Sequence, residues 1–465
     1  MLGTALAAVV LLQAQQPGPG PGPGFGGAMR PSAGGQEIVG YLPYYRMSSI
    51  SFEKLRLCTD VIYFSGQFTA DADLVFSSSR RADLVDLALL RDSMGFRLFL
   101  SIIGDFGADG FEQAVSTPAG REKMAQELAL VFDQYGLDGI DIDWEFPDDW
   151  TEVGYYTDLL WRIKALIGGA GGMVTVAVAP LQLMDAAFFE PVDRVHMMAY
   201  LTDFPTFQTY VGYTLASGCP PEKLAPGLPF YGRDQVTGSA YRYSTLVGMY
   251  PVLDQDPFID NVDDIFLNGR NTQFVKSHWV RDQGYRGMSV WELGQDITGD
   301  TSLLRAVLEG TTGTLLPESV SIVRGVLAGG GLSDLFFSDD ARLDVRAGIT
   351  LFAGESPLQI EVEGHSPVEA PSELRFTLES SANTPGLTQT IELFNYDTSS
   401  YEEVDLSVPG AFDGVVEVVV TTNPERFVQA GTRTMRAKVV YQRVGLTLLW
   451  PWSAKLDQAA WRIVR

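Results

Sequence analysis

At 465 residues with 46% hydrophobic content, the chain is long enough for two or three domains with full cores, and its composition is that of an ordinary globular protein rather than a disordered one. The formal net charge of -25 comes without any basic run to offset phosphate charge, which excludes nucleic acid as a partner and leaves a neutral polymer or small neutral ligand unrepelled. The 2 cysteines, Cys58 and Cys219, and the 3 histidines, His196, His278 and His365, are scattered, so no metal-ligand spacing occurs: no metal and no cofactor is expected, His196 reads as a core histidine on an apolar strand, and two buried free thiols are favoured over a disulfide.

In chain order, residues 1–16 hold an apolar stretch over 5–12 followed by Leu12-Gln13-Ala14, a small-residue cleavage pattern. They read as a signal peptide, with an exported location (extracellular, periplasmic or cell surface) as the consequence. The stretch is shorter than the ~20 residues that cross a bilayer and no later segment qualifies, so no transmembrane segment is expected. Residues 17–35, opening with repeated Pro-Gly, form a low-complexity linker that cannot build a core.

From residue 36 to 312, strand-like runs at 38–43, 60–64, 96–103, 137–145, 173–179, 192–200, 224–230 and 287–293 alternate with helix-like ones. Eight such strands with intervening helical patterns predict a closed (β/α)8 TIM barrel, whose site lies where the C-terminal strand ends emerge. An open doubly wound sheet is the alternative, but the Gly-rich phosphate loop it would carry after its first strand is missing. The helical run before the fourth strand has clear punctuation: Ser116-Thr117-Pro118 offers a cap and an N1 proline, and Gly136 a stop.

Residues 138–145 read Asp-Gly-Ile-Asp-Ile-Asp-Trp-Glu. On a strand Asp141, Asp143 and Glu145 share one face, while Ile140, Ile142 and Trp144 take the other. Alternating acids usually face water. Here the flanking helices place them on a parallel strand covered on both faces, where a row of like charges is costly and points to chemistry. Glu145 falls at a strand end, and so do Tyr200, Tyr231 and Trp291, which barrel closure would gather around one mouth. Asp138 has the opposite parity to Asp141 and reads as structural support.

After about residue 313 the pattern changes to short alternating strands, with Leu358, Ile360 and Val362, then Leu374, Phe376 and Leu378, then Val416, Val418 and Val420 on one face. Residues 313–465 are therefore expected to form an all-β sandwich of open role. No acid constellation is legible there. Trp450, Trp452 and Trp461 could stack on sugar rings, although core packing is favoured for tryptophans in a sandwich.

The first domain resembles the family 18 glycoside hydrolases, the chitinases and their relatives. Their signature, Asp-Gly-x-Asp-x-Asp-x-Glu at the end of strand four, is met at every fixed position by residues 138–145. Supporting matches are Ile38-Val39-Gly40-Tyr41 on strand one, Met198-Ala199-Tyr200 on strand six, the run from Gly227 to Arg233 on strand seven and Trp291-Glu292 on strand eight. The resemblance covers about residues 37–310.

It implies a retaining hydrolase of β-1,4-linked N-acetylglucosamine polymers, with Glu145 as general acid and base and the substrate's acetamido oxygen as nucleophile. By the same resemblance Asp143 holds the acetamido N–H, Asp141 shares a proton with Asp143, and Tyr200 hydrogen-bonds the acetamido carbonyl. Tyr41 and Ser101 stand near the aspartate pair, Tyr231 lines the cleft, and Trp291 forms its aromatic floor. The implied partner is an N-acetylglucosamine-containing polysaccharide or glycan, and a monomer is expected. The departures are Ile103, where the family has the first glycine of Ser-x-Gly-Gly, and Leu201, where it commonly has Asp after the tyrosine, with Asp203 two residues on. Leu201 leaves open an endo-acting N-acetylglucosaminidase on N-glycans or a peptidoglycan-directed relative. A chitin-binding lectin-like protein is a further alternative, although such relatives typically lose the terminal Glu. The segment between Arg233 and Gly284 is short, predicting an open cleft.

Overall fold

Apolar and β-branched runs make eight parallel strands: β1 Glu37–Pro43, β2 Asp60–Phe68, β3 Arg97–Asp105, β4 Gly139–Glu145, β5 Met173–Val178, β6 Arg194–Met197, β7 Leu224–Pro229 and β8 Gly287–Trp291. The computed structural model describes residues 36–105, 110–299, 301–338, 340–350, 355–443 and 452–464. The signal-peptide and linker expectations, and Trp450, lie outside those residues. β1 pairs with β8, from Glu37↔Gly287 to Gly40↔Val290, and also with β2, from Val39↔Asp60 to Pro43↔Phe64, so the sheet closes into a (β/α)8 barrel. Closure needs a very close approach at one point. A Cβ on Gly287 would stand 2.1 Å from the Glu37 carbonyl oxygen, and its φ of +156° is open to glycine.

Outside the barrel lie α1 Ser78–Met94, α2 Pro118–Tyr135, α3 Trp150–Ile167, α4 Phe204–Ala216, α5 Arg270–Asp282 and α6 Leu303–Thr312. The punctuation of α2 is as the sequence predicts: the Thr117 side chain accepts from Gly120 N–H, Pro118 opens the helix and Gly136 ends it at φ 58°. One expected helix is absent. Among the described residues the link from β5 to β6 carries turns only, and its Phe188 and Phe189, both 1% exposed, cover the barrel in a helix's place. The link from β7 to α5 holds a small antiparallel sheet of Tyr231–Asp234, Ala240–Arg242, Asn261–Val262 and Ile265–Phe266 with two short helices, a low wall rather than a large insertion. No described helix is long and apolar enough to cross a membrane.

At the N-terminal end of the barrel the buried acids are matched by arginines. Arg97 Nε donates to Asp60 Oδ1 at 2.6 Å, Arg194 Nη1 to the same oxygen at 2.9 Å, and Arg97 and Arg286 both reach Glu37 Oε1, at 2.8 and 2.7 Å. Burial pushes the Asp60 carboxyl up, but Arg194 and Arg97 together outweigh it and hold the group below its ordinary value.

A second compact unit begins at Gly313. It contains a six-stranded and a five-stranded antiparallel sheet. The strand Leu358–His365 buries Leu358, Ile360 and Val362 and leaves the residues between them partly exposed, the alternation of a sandwich. Trp461 of the first sheet lies over Gly364 of the second, where an added Cβ would stand 3.0 Å from the indole. Trp452 and Trp461 are 2% and 1% exposed, so both belong to the core and neither offers a sugar platform. One correction concerns acids: Asp340, Asp413 and Asp457, distant in sequence, come together in this unit, and Arg342 pairs with Asp340 and Asp413.

Candidate active site

The acid row stands on the inner face of β4. Ile140, Ile142 and Trp144 point outward into the helix layer, where Trp144 packs 5.3 Å from Phe111 and 5.4 Å from Tyr156. On the inner face exposure rises toward the mouth: Asp141 is 0% exposed, Asp143 is 3% exposed, and Glu145 is half-buried. Depth alone therefore gives three identical functional groups three environments.

Strand register supplies the partners of Asp141. Ser101 on β3 and Thr175 on β5 are its direct neighbours, and both hydroxyls donate to it, Ser101 Oγ to Oδ2 at 2.9 Å and Thr175 Oγ1 to Oδ1 at 2.5 Å. Tyr41 on β1 reaches across the barrel with its hydroxyl 3.1 Å from Asp141 Oδ2 and 2.9 Å from His196 Nδ1. Hydrogen bonds to a charged group are worth ~1.5–3 kcal/mol each, so three hydroxyls offset the several kcal/mol that burial costs a carboxylate without any arginine. Burial, and then Asp141 and Asp143, push the Tyr41 phenol well above its ordinary value, which keeps it a neutral donor.

His196 is core, as its strand pattern suggests, yet its Nδ1 is 3.4 Å from Asp141 Oδ1 and its buried Nε2 has no partner among the described residues. It belongs to the site, and so does Thr175. Sequence reasoning missed both. Thr175 was findable from register, being the inward residue beside Asp141, and His196 from parity, since it alternates with Tyr200.

Tyr200, Tyr231 and Trp291 gather at the mouth, each partly exposed. The two tyrosine rings meet edge to face at 6.4 Å. Gly227 on β7 makes room for Tyr200, because a Cβ there would stand 2.9 Å from its ring. Burial first, then Asp143, Tyr231, Glu145 and Asp141, raise the Tyr200 phenol well above its ordinary value, so it too remains a donor facing the acid row. The Trp291 indole sits 5.7 Å from Tyr41 and 4.9 Å from Phe64 and forms a fixed aromatic surface at the end of β8. Its neighbour Glu292 is buried against Arg46 at 2.8 Å and caps Gly294.

The remaining residues fall outside the row. Asp138 accepts from Leu98 N–H at 2.8 Å and lies 3.7 Å from Arg91, tying the start of β4 to β3. Ile103 pairs with Asp143 in register and is partly exposed at the mouth. Leu201 takes a left-handed φ of +50°, and Asp203 caps α4 by accepting from Thr206 N–H at 2.8 Å, so it does not replace a carboxylate after Tyr200. Cys58 and Cys219 are buried free thiols.

A (β/α)8 barrel whose mouth aligns carboxylates beneath tyrosine hydroxyls and an indole is the layout of a sugar-cleaving hydrolase. The chain belongs to family 18 of the glycosyl hydrolases, whose family profile matches residues 37–296. It is similar to Chitinase 1 of Aphanocladium album, 22% identical over 342 residues that cover 58% of this chain and 80% of that protein. Chitinase B of Serratia marcescens is 26% identical over 233 residues, 35% of this chain and under half (46%) of the relative. Among solved structures, a chitinase from Bacteroides thetaiotaomicron superposes with a TM-score of 0.52 at 20% identity, covering 59% of this chain and 96% of that one. A family 18 chitinase from the chitin utilization locus of Flavobacterium johnsoniae gives 0.51 at 22% identity, covering 60% and 94%. These likenesses carry the barrel fold.

Proposed function

We propose that this protein is a retaining hydrolase of β-1,4-linked N-acetylglucosamine polymers that works by substrate assistance. The observation that carries the reading is the graded acid row, from fully buried Asp141 to half-buried Glu145. Glu145, at the solvent side, protonates the glycosidic oxygen as the bond to the anomeric carbon breaks. The substrate's own acetamido oxygen attacks that carbon and gives an oxazolinium ion, so no protein nucleophile is needed. The amide nitrogen gains positive charge in this step, and Asp143 holds its N–H and stabilises that charge. Asp141, anchored by three hydroxyls, lies below Asp143 on the same face and shares a proton with it. Tyr200 donates to the acetamido oxygen, Tyr231 lines the cleft, and the Trp291 indole supports the apolar face of the sugar. Glu145, now a carboxylate, then takes a proton from the water that opens the ring with net retention. The apolar N-terminal stretch adds an exported location to this reading.

A second reading keeps the chemistry and moves the substrate to N-glycans or peptidoglycan. The observation favouring it is the position after Tyr200, where Leu201 stands and Asp203 is committed to capping α4, so one polar contact to the sugar is missing. A panel of chitin oligomers, a high-mannose glycoprotein and peptidoglycan, run with wild type beside Glu145→Gln, tests both. Oligomer turnover abolished in Glu145→Gln supports the first reading. Glycan release without oligomer turnover supports the second, and oligomer binding with no turnover on any substrate overturns both in favour of a lectin-like role.

A further inference from the structure

Helix α5 buries a polar face: Gln273, Lys276 and Ser277 are each 0% exposed. A lysine in that position is unexpected, because burial strongly disfavours an ammonium without a counter-charge. Lys276 Nζ donates to the Thr202 carbonyl at 2.6 Å, to Thr202 Oγ1 at 3.2 Å and to Asn268 Oδ1 at 2.8 Å. Asn268 Nδ2 donates to the same Thr202 carbonyl at 3.0 Å, and Gln273 Nε2 donates to the Pro229 and Asn268 carbonyls at 2.8 and 3.1 Å. Thr202 lies two residues after Tyr200, and Pro229 two residues before Tyr231. Between Tyr200 and Thr202 the chain passes through Leu201 at φ +50°, a conformation a leucine keeps only where its surroundings impose it.

We infer that Lys276 is a positioning residue: through Thr202 and Asn268 it holds the left-handed turn that sets Tyr200 over the acid row, while Gln273 ties the same helix to the strand end that carries Tyr231. The kinetic consequences rest on the proposed function; the structural one does not. Two titratable groups act on Lys276 through space: Asp203, the exposed cap of α4, and Asp260, which accepts from Gly269 N–H and Thr272 Oγ1, each at 2.7 Å. Neither forms an ion pair with it. α4 also contributes the Phe207 ring, 5.0 Å from Nζ, and the direct partners Thr202 and Asn268 are neutral. Burial prevails over both aspartates and pushes the ammonium down to about 7. Below that pH the group offers three protons to its three acceptors. Above it, the neutral amine has two and the clamp loosens.

Hydrogen exchange and kinetics test this together, on the full chain. In Lys276→Met, exchange should rise ~10-fold or more at residues 200–203 with the rest of the barrel unchanged, and kcat on chitin oligomers should fall ~10-fold or more with KM little affected. Glu145 deprotonation lowers kcat in both proteins, so the ratio of wild-type to Lys276→Met kcat is the readout, and it should fall in a step centred near pH 7. Asn268→Asp places a carboxylate on the ammonium and should move that fall upward by about a pH unit or more; this variant carries the test if Lys276→Met does not fold. Wild-type exchange at 200–203 in a folded Lys276→Met, or an unmoved step in Asn268→Asp, overturns the inference. A wild type inert on chitin oligomers at every pH contradicts the substrate reading instead, and the exchange result still decides the clamp.

Discussion

Asp60 and Asp141 are both 0% exposed on the inner faces of barrel strands, yet they are satisfied in opposite ways. Asp60, at the N-terminal end, receives Arg97 and Arg194 at 2.6 and 2.9 Å. Asp141, nearer the mouth, receives three hydroxyls and stands 3.4 Å from a histidine. An arginine fixes a carboxylate as a charge, because it cannot give up its proton. Hydroxyls stabilise a carboxylate without committing it, so it can exchange a proton with a neighbour. One fold thus has a floor tied by arginines and an acid row tied by hydroxyls, and the row is where we place the chemistry.

The contrast can be broken at either end. The largest effect should come from Glu145→Gln, which removes the proposed proton donor: turnover should fall by ~10³-fold or more with the melting temperature unchanged, measured by product release beside thermal unfolding. Asp60→Ala takes one of its two carboxylates from the buried Arg194, leaving only Glu37 at 2.7 Å, and should cost ~3–5 kcal/mol of stability, read by urea titration. Asp141→Asn should do the reverse, lowering kcat ~10²-fold while costing no more than ~1–2 kcal/mol, because its neighbours are neutral hydroxyls. Equal stability losses in the two aspartate variants would erase the distinction between floor and row. Tyr200→Phe should lower kcat by ~10-fold at constant stability. The smallest effect is on pH dependence. The folded Asp60 carboxyl is held low, so its contribution is full above the unfolded value of ~3.9 and is lost as pH falls through the lower folded value. Asp60→Asn should therefore flatten the loss of stability below about pH 4 in urea titrations run from pH 3 to 7.

The same two regions explain what the sequence discloses. Alternation at 138–145, the Thr117 cap and the Gly136 stop are local signals, and they specify β4 and α2 directly. The Asp141 network is non-local: Tyr41, Ser101, Thr175 and His196 come from four other strands, and register brings them together. Tyr41 and Ser101 were legible through family resemblance, whereas Thr175 and His196 each look like ordinary strand residues. Lys276 was hidden for another reason, since a lysine on an amphipathic helix reads as a solvated face. The helix expected between β5 and β6 failed because Phe188 and Phe189 cover the barrel from within turns. In the sandwich, alternation predicts strands such as Leu358–His365, but the meeting of Asp340, Asp413 and Asp457 depends on how two distant connecting segments reach the strand Ser453–Val464.

The central claim is that the acid row drives substrate-assisted cleavage with Glu145 moving the protons. Proton NMR of freshly formed product from chitin oligomers tests it most directly, with Glu145→Gln beside the wild type. The account predicts the β anomer first from wild type and no product from the variant. An α anomer appearing first, or equal product from both proteins, would contradict it.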